Sequence, residues 1–278
     1  MAAVQHPNRL LACLPAADFE FLRPHLKPFE LVHEDLLFDA GDAVNWVYFP
    51  HSGVISLVVD LADGQRIEAA MVGRDSVVGA SAALVDKVAL NTGIVQVAGT
   101  ASILDVAMLH AATEQSAGFR ATLIRHQQML LAQAQQSAAC NASHSVEARL
   151  ARWLLWTREL SGSDTLGLTQ EFLAQMLGVR RTSVSLVANT LQNAGLIRYS
   201  RGRIEITDLA GLRAASCECY GRVKMHYDRL LDHENHIDYF LLSGTRPARY
   251  SPGRGRPKEP AYNGTKPRHD PTQVPRVS

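Results

Sequence analysis

The chain has 278 residues, of which 46% are hydrophobic and only 6% aromatic, and its formal net charge is +1. That composition suits a globular protein of two modest domains and a tail. No run of 18 apolar residues is free of charged or strongly polar groups, which excludes a membrane span. Charge is spread unevenly: acids outnumber bases up to residue 242, and bases outnumber acids from 243 to 278. A basic end on an acidic body hints at a polyanionic partner. The four cysteines, Cys13, Cys140, Cys217 and Cys219, form no paired framework and the N-terminus shows no signal peptide, so a cytoplasmic location is expected.

Residues 29–109 read as short strands between glycine turns. "VNWVYF", "GVISLVV" and "IEAAMV" are β-rich runs, and Asp63-Gly64 marks a hairpin between the second and third. Gly41, Gly53, Gly64, Gly73 and Gly79 punctuate the region in the manner of an all-β barrel or sandwich. After Leu109 the period becomes helical. Leu123, Gln127, Leu130, Ala134, Ser137 and Asn141 follow a 4-3 alternation, with Ile124, Leu131 and Ala138 beside them seven residues apart. Such a seam suits a two-stranded coiled coil, or packing on the protein's own core. A second amphipathic helix runs from Ser145 to the mid-150s, and "SGSD" at 161–164 is a loop. "LIRYSRGRIEITD" predicts two short strands turning at Arg201-Gly202, and a helix from Leu209 to about His233 follows. Seven of the twelve prolines lie beyond Ser243, in a tail expected to be disordered.

The most informative stretch is "LTQEFLAQMLGVRRTSVSLVANTLQ", residues 168–192. A helix-turn-helix needs two helices crossing steeply over a short turn. Gly178 supplies a residue that accepts a left-handed backbone, and Ala174 is small where the helices cross. Leu173, Leu177, Val179, Val184 and Val187 provide apolar inner faces, and Thr169 is placed to cap the first helix. Arg180, Arg181, Thr182, Ser185 and Leu186 would project from the second helix toward bases. Between 178 and 203 there are five arginines and no acid. One-signed charge beside such a motif is what phosphate neutralisation requires.

These residues resemble the Crp/Fnr family of bacterial transcription regulators. On the sensor side the likeness rests on "LFDAGD", "VYFPHSGVISLV" and "VGRDSVVGA", and on the DNA side on "LTQEFLAQMLGVRRTSVSLVANTLQNAGLI". The resemblance implies an α+β chain. A β-roll (jelly-roll-like) sensor would occupy residues 1–110, a long dimerisation helix 111–143, and a winged helix-turn-helix 144–212. A C-terminal helix at 213–242 and the tail at 243–278 would follow. It implies a homodimer through 111–143 on a palindromic double-stranded operator, with an RNA polymerase contact and a small-molecule effector. Arg181 sits where the family commonly reads guanine. Thr182 and Leu186 replace the usual Glu and Arg, which predicts a different operator. Thr169 and Gln170 match phosphate-gripping positions, and Arg198, Arg201 and Arg203 belong to the wing.

Cyclic-nucleotide binders of the family carry a Gly-Glu pair and, about a dozen residues later, an Arg followed by Ser or Thr. Here Gly79 is followed by Ala80 and Ser81, and Asn91-Thr92 stands at the arginine position. A phosphate buried without its cation is costly, so cyclic AMP is not the expected effector. Cys13 alone cannot hold an iron–sulfur cluster, and Cys217-x-Cys219 has poor spacing for zinc. No cofactor and no metal ligand are therefore expected. Arg254-Gly255-Arg256-Pro257 resembles a minor-groove AT-hook, set against a chance match in a basic tail. A small-molecule-binding module is the alternative function. An enzyme is not expected, because no nucleophile–base pair stands out and Asp232-His233-Glu234-Asn235-His236 reads as a solvated helix end.

Overall fold

Two short helices, α1 (Arg9–Ala12) and α2 (Ala16–Leu22), precede the first strands. The sheet region is built from β1 (Lys27–Leu31), β2 (Leu36–Phe38), β3 (Trp46–Pro50), β4 (Val54–Asp60) and β5 (Arg66–Val72). After a single helical turn, α3 (Ala80–Ala83), it continues with β6 (Thr92–Val97) and β7 (Gly99–Asp105). The computed structural model describes residues 5–231. The strands form two antiparallel sheets, one of order β1-β7-β3 and one of order β2-β6-β4-β5. Their inward residues, among them Leu31, Val47, Phe49, Ile55, Val95 and Leu104, share one buried core. The β4–β5 hairpin turns at Asp63-Gly64 as expected, but through five residues, with Gly64 at φ +82°.

Helix α4 (Val106–Gln115) is capped by the Asp105 carboxylate, which accepts from the Ala107 N–H. At Ser116 a new cap starts α5 (Ala117–Ser143), the long helix. Its seam divides into two. Phe119, Leu123, His126, Met129, Gln133, Ser137 and Cys140 face the protein's own core. Ile124 and Leu131, 51% and 59% exposed, line an outer stripe one position along.

Ser145 caps α6 (Val146–Ser161), which ends at Gly162 in the left-handed region. Sequence periodicity gives this helix one apolar side. In the structure it is buried on nearly every side, Arg149 and Arg152 included. The reason is its place: α6 lies between the β4–β5 sheet and the helices that follow, and Trp153 Nε1 donates to Glu68 on β5 at 3.0 Å. Next come β8 (Thr165–Gly167), α7 (Gln170–Leu177), α8 (Arg181–Asn193), β9 (Ile197–Ser200) and β10 (Arg203–Ile206). The three strands form a small antiparallel sheet of order β8-β10-β9.

The single helix expected from Leu209 is instead two: α9 (Leu209–Ala215) and α10 (Cys219–Leu231). Ser216 closes α9 with an extended ψ of 158°, and its hydroxyl donates to the Arg213 carbonyl. Neither Gly nor Pro marks this break. Cys217 and Cys219 turn inward there, and α10 then packs along α5 through Val223 and Tyr227, whose hydroxyl lies 3.2 Å from the Gln133 amide. The Arg254–Pro257 motif, the Asp232–His236 cluster and the remainder of the 213–242 helix lie outside the described residues.

Candidate nucleic-acid interface and effector pocket

The turn between α7 and α8 is set by hydrogen bonds that only a left-handed residue permits. Gly178 has φ 60° and ψ 43°, its N–H reaches the Gln175 carbonyl at 3.0 Å, and the Val179 N–H reaches the Ala174 carbonyl at 3.0 Å. That is a Schellman closure, and it redirects the chain from α7 into α8. Leu173, Ala174, Leu177, Val184 and Ala188 are buried where the two helices meet, and Val179 and Val187 are partly buried beside them. At the other end of α7 the Thr169 hydroxyl accepts from the Phe172 N–H at 3.1 Å.

Arg180, the residue that caps α8, and Arg181, Thr182 and Leu186 on the helix are exposed, Leu186 to 70%. Ser185 departs from the outward placement expected of it. Its hydroxyl is half-buried, donating to Gln170 Oε1 at 2.5 Å and lying 3.1 Å from the Arg181 carbonyl. Ser185 and Gln170 thus lock the two helices together, because each satisfies the other's polar atom. Arg181 has a loose ionic neighbour in Glu171 at 3.9 Å.

The wing turns on two residues. Arg201 (φ 50°) and Gly202 (φ 75°) both adopt positive φ, and Ser200 pairs with Arg203, so the loop is a two-residue primed turn. The Gly202 carbonyl accepts from the Leu168 N–H at 2.8 Å, which holds the wing beside the capped start of α7. Arg201 and Arg203 are exposed, with no ion pair among the described residues. Arg198 differs from them. It pairs with Glu205 at 2.8 Å across the β9–β10 ladder, so its charge is partly neutralised on the protein. The acid-free interval ends just short of that glutamate, and strand register brings the two side chains together.

The leading end of α8 also borders the β-roll. A groove of about 480 Å³ is lined by Asp63, Gly64, Gln65 and Arg66 from the β4–β5 hairpin, and by Glu171, Gln175, Gly178, Arg180 and Arg181. Ile67 Cδ1 lies 3.4 Å from where a Cβ on Gly178 would sit.

A second cavity, about 310 Å³, opens inside the β-roll against α5. Its walls are mostly apolar, with Phe38, Leu57, Val77, Val85 and Val88 from the roll and Leu130 from α5. Gly79, Ser81 and Asn91 line it, joined by Asp86 and Gln127. Ala80 and Thr92 do not line it. Ala80 is buried in the roll, and the Thr92 hydroxyl is committed elsewhere, 2.6 Å from Asp60 and 3.0 Å from Asp39, while accepting from the Ala40 N–H. That hydroxyl, with Arg66 assisting, holds the Asp60 carboxyl below the usual carboxylate range. Among the described residues, no lysine or arginine lines this cavity.

One group of residues escapes sequence reasoning. Cys140, His144, Cys217 and Cys219 converge, although the Cys217-x-Cys219 spacing by itself is poor for a metal. The available signal was Cys140-x-x-x-His144, which places two donors on one helix face.

Residues 148–215 match the Crp-like helix-turn-helix domain. No curated protein matches the chain in sequence. Among solved structures, FixK2 from Bradyrhizobium japonicum superposes with a TM-score of 0.57 at 14% identity, covering 69% of this chain and 98% of its own. The c-di-GMP responsive global regulator CLP of Xanthomonas campestris gives 0.56 at 17%, covering 69% and 99%. TTHB099, a CRP-family transcriptional regulator from Thermus thermophilus, gives 0.54 at 24%, covering 68% and 96%. Residues 148–215 therefore carry a Crp-like helix-turn-helix domain, and the chain shares the fold of those Crp/Fnr-type structures, the likeness the sequence suggested.

Proposed function

We propose that this chain is a dimeric, sequence-specific DNA-binding transcriptional regulator of the cytoplasm. In this reading residues 1–110 sense an effector, 111–143 join two copies, and 144–212 read a palindromic operator beside RNA polymerase. One observation carries it. Arg180 and Arg181 at the start of α8 and Arg201 and Arg203 on the wing are all exposed, and the sequence holds no acid between 178 and 203. Arg181, Thr182 and Leu186 supply base contacts. Thr169, the N-terminal N–H groups of α7, Arg201 and Arg203 supply phosphate contacts. Ser185 and Gln170 position the helices, and Arg198 contributes less because Glu205 shares its charge.

The cavity supports a neutral, largely apolar effector rather than a cyclic nucleotide. A cyclic phosphate would meet the Asp86 carboxylate and no cation. Gln127 and Leu130 of α5 form one wall, so an occupant touches the helix that would join the dimer. Differential contact there is what a coupling free energy between effector and DNA requires. The residues found serve binding, and we read no catalytic role into them.

Selection of bound sequences from random duplex DNA tests the proposal. An enriched inverted repeat is expected, with half-sites about 34–36 Å apart. Calorimetric titration of the same protein with cyclic AMP should show no binding. Tight binding would overturn the assignment of the cavity.

A further inference from the structure

Four side chains that favour soft metal ions meet where the long helix hands over to the C-terminal helix. Cys140 lies in the last turn of α5 and His144 is that helix's C-cap, four residues on and therefore on the same face. Cys217 and Cys219 come from the break between α9 and α10. Cys140 Sγ is 3.5 Å from Cys217 Sγ, and Cys219 Sγ is 3.6 Å from His144 Nδ1. All four donor atoms lie within 4.8 Å of one another. Tetrahedral zinc with bonds of about 2.3 Å to sulfur and about 2.0–2.1 Å to nitrogen separates its ligand atoms by roughly 3.5–3.8 Å. The Cys140–Cys217 and Cys219–His144 separations, 3.5 and 3.6 Å, are of that size, and the remaining pairs lie within 4.8 Å.

Three buried thiols alone could be simple packing, since free cysteine behaves as a small hydrophobe. The surroundings argue for more. His144 turns Nδ1 toward the thiols and Nε2 toward the Glu218 carboxylate, 3.3 Å away. A proton held on Nε2 by Glu218 leaves the Nδ1 lone pair facing the sulfurs, which is how outer carboxylates orient metal-binding histidines. Gln136 Nε2 lies 3.0 Å from Cys219 Sγ, placed to donate to a thiolate. Arg149 and Arg152 are both buried on α6, the helix that begins just after His144. Three thiolates and one Zn²⁺ carry a net charge of −1, which those guanidinium groups complement.

We propose that Cys140, His144, Cys217 and Cys219 form a closed, structural Zn²⁺ site that staples the end of α5 to the α9–α10 junction. On binding, the three thiols release three protons to solvent, the imidazole gives its Nδ1 lone pair, and no electron is transferred. With four protein ligands no position is left open for substrate. The staple lies one residue before Ser145, the cap of α6, so it fixes the point where the long helix joins the helix-turn-helix domain. It also explains why α9 and α10 part at Ser216–Glu218 without Gly or Pro.

The test uses the full chain, purified under reducing conditions without chelator and assayed by elemental mass spectrometry. About one zinc per chain is expected. Replacement by Co²⁺ should give the intense visible bands of a tetrahedral site with sulfur-to-cobalt charge transfer. Cys219→Ser should abolish those bands, and Glu218→Gln should weaken zinc affinity about 10- to 100-fold while keeping four ligands. If the cysteine variant fails to fold, wild-type protein is melted with and without a strong chelator, and the chelator should lower Tm. Absence of zinc uptake from a chromophoric chelator would overturn the site. So would unchanged affinity in Glu218→Gln and Cys219→Ser, or an air-oxidised Cys140–Cys217 disulfide that persists when excess thiol reductant and zinc are supplied.

Discussion

Arg181 and Arg201 are both exposed arginines beside the helix-turn-helix, yet their settings predict different losses. Arg181 opens α8, where a guanidinium can reach two acceptors on one guanine. Arg181→Ala should cost about 1–3 kcal/mol of discrimination at one base pair per half-site. Arg201 stands at the wing tip, where it can meet only the sugar–phosphate backbone. Arg201→Ala should weaken all duplexes alike and reduce the salt slope by about 1. Parallel titrations on the selected and a scrambled duplex, at several salt concentrations, separate the two. Identical behaviour would mean the roles are misassigned. A third residue bears on stability. Burial pushes the Glu68 carboxyl up to about 7, against the lowering effects of Ser56, Arg152, Trp153 and Gln96. A carboxyl whose folded pKa lies above its unfolded value stabilises below the unfolded value and loses that contribution as pH rises through the folded one. Glu68 therefore costs stability progressively between about pH 4.5 and 7. His126, lowered by burial to about 3, acts in the opposite sense, adding stability as pH rises from 3 to 6.5. Glu68→Gln isolates the first effect. Relative to wild type, the variant should gain about 2–4 kcal/mol between pH 5 and pH 8 in urea unfolding. An unchanged difference across that range would show that Glu68 is ionised throughout.

At the scale of elements, α5 presents two faces and the sequence shows both without separating them. Leu123 and Ile124 are adjacent and equally apolar, but one is buried and the other half-exposed. Only the docking of α5 on the roll and on α10 tells them apart. The outer stripe of Ile124 and Leu131 is the surface that a second copy would cover. Ile124→Glu with Leu131→Glu should convert a dimer to a monomer in sedimentation analysis, with circular dichroism unchanged. A dimer that survives both charges uses another surface. The helix-turn-helix and wing were legible because each rests on local chemistry: Gly178 at a left-handed turn, Thr169 as a cap, Arg201-Gly202 in a primed turn. The α9–α10 break, the burial of α6 on all sides and the Arg198–Glu205 pair were not, because partners distant in sequence produce them. The cysteine cluster belongs to the same class: Cys140 and Cys217 are 77 residues apart and meet only after α10 folds back along α5.

Across the whole molecule, the β-roll and the helix-turn-helix share one core. Trp153 donates to Glu68 on β5, and the turn at Gly178 packs on Ile67 of the same strand. The leading end of α8 borders the β4–β5 hairpin loop, so anything that shifts this strand shifts the surface that would meet DNA. The pocket residues were partly legible. Gly79, Ser81 and Asn91 line the cavity, whereas Thr92, read from its position after Asn91, faces Asp39 and Asp60 instead. Its neighbours in space, not in sequence, decide where its hydroxyl points. Every functional statement depends on α8 entering a major groove. The most direct measurement is fluorescence anisotropy of the full chain on the duplex enriched from random DNA, at low ionic strength, for wild type and Arg181→Ala. The account predicts saturable binding to an inverted repeat, with the variant losing preference at one base pair in each half-site. Absence of binding to any duplex, or full sequence preference without the Arg181 side chain, would contradict it.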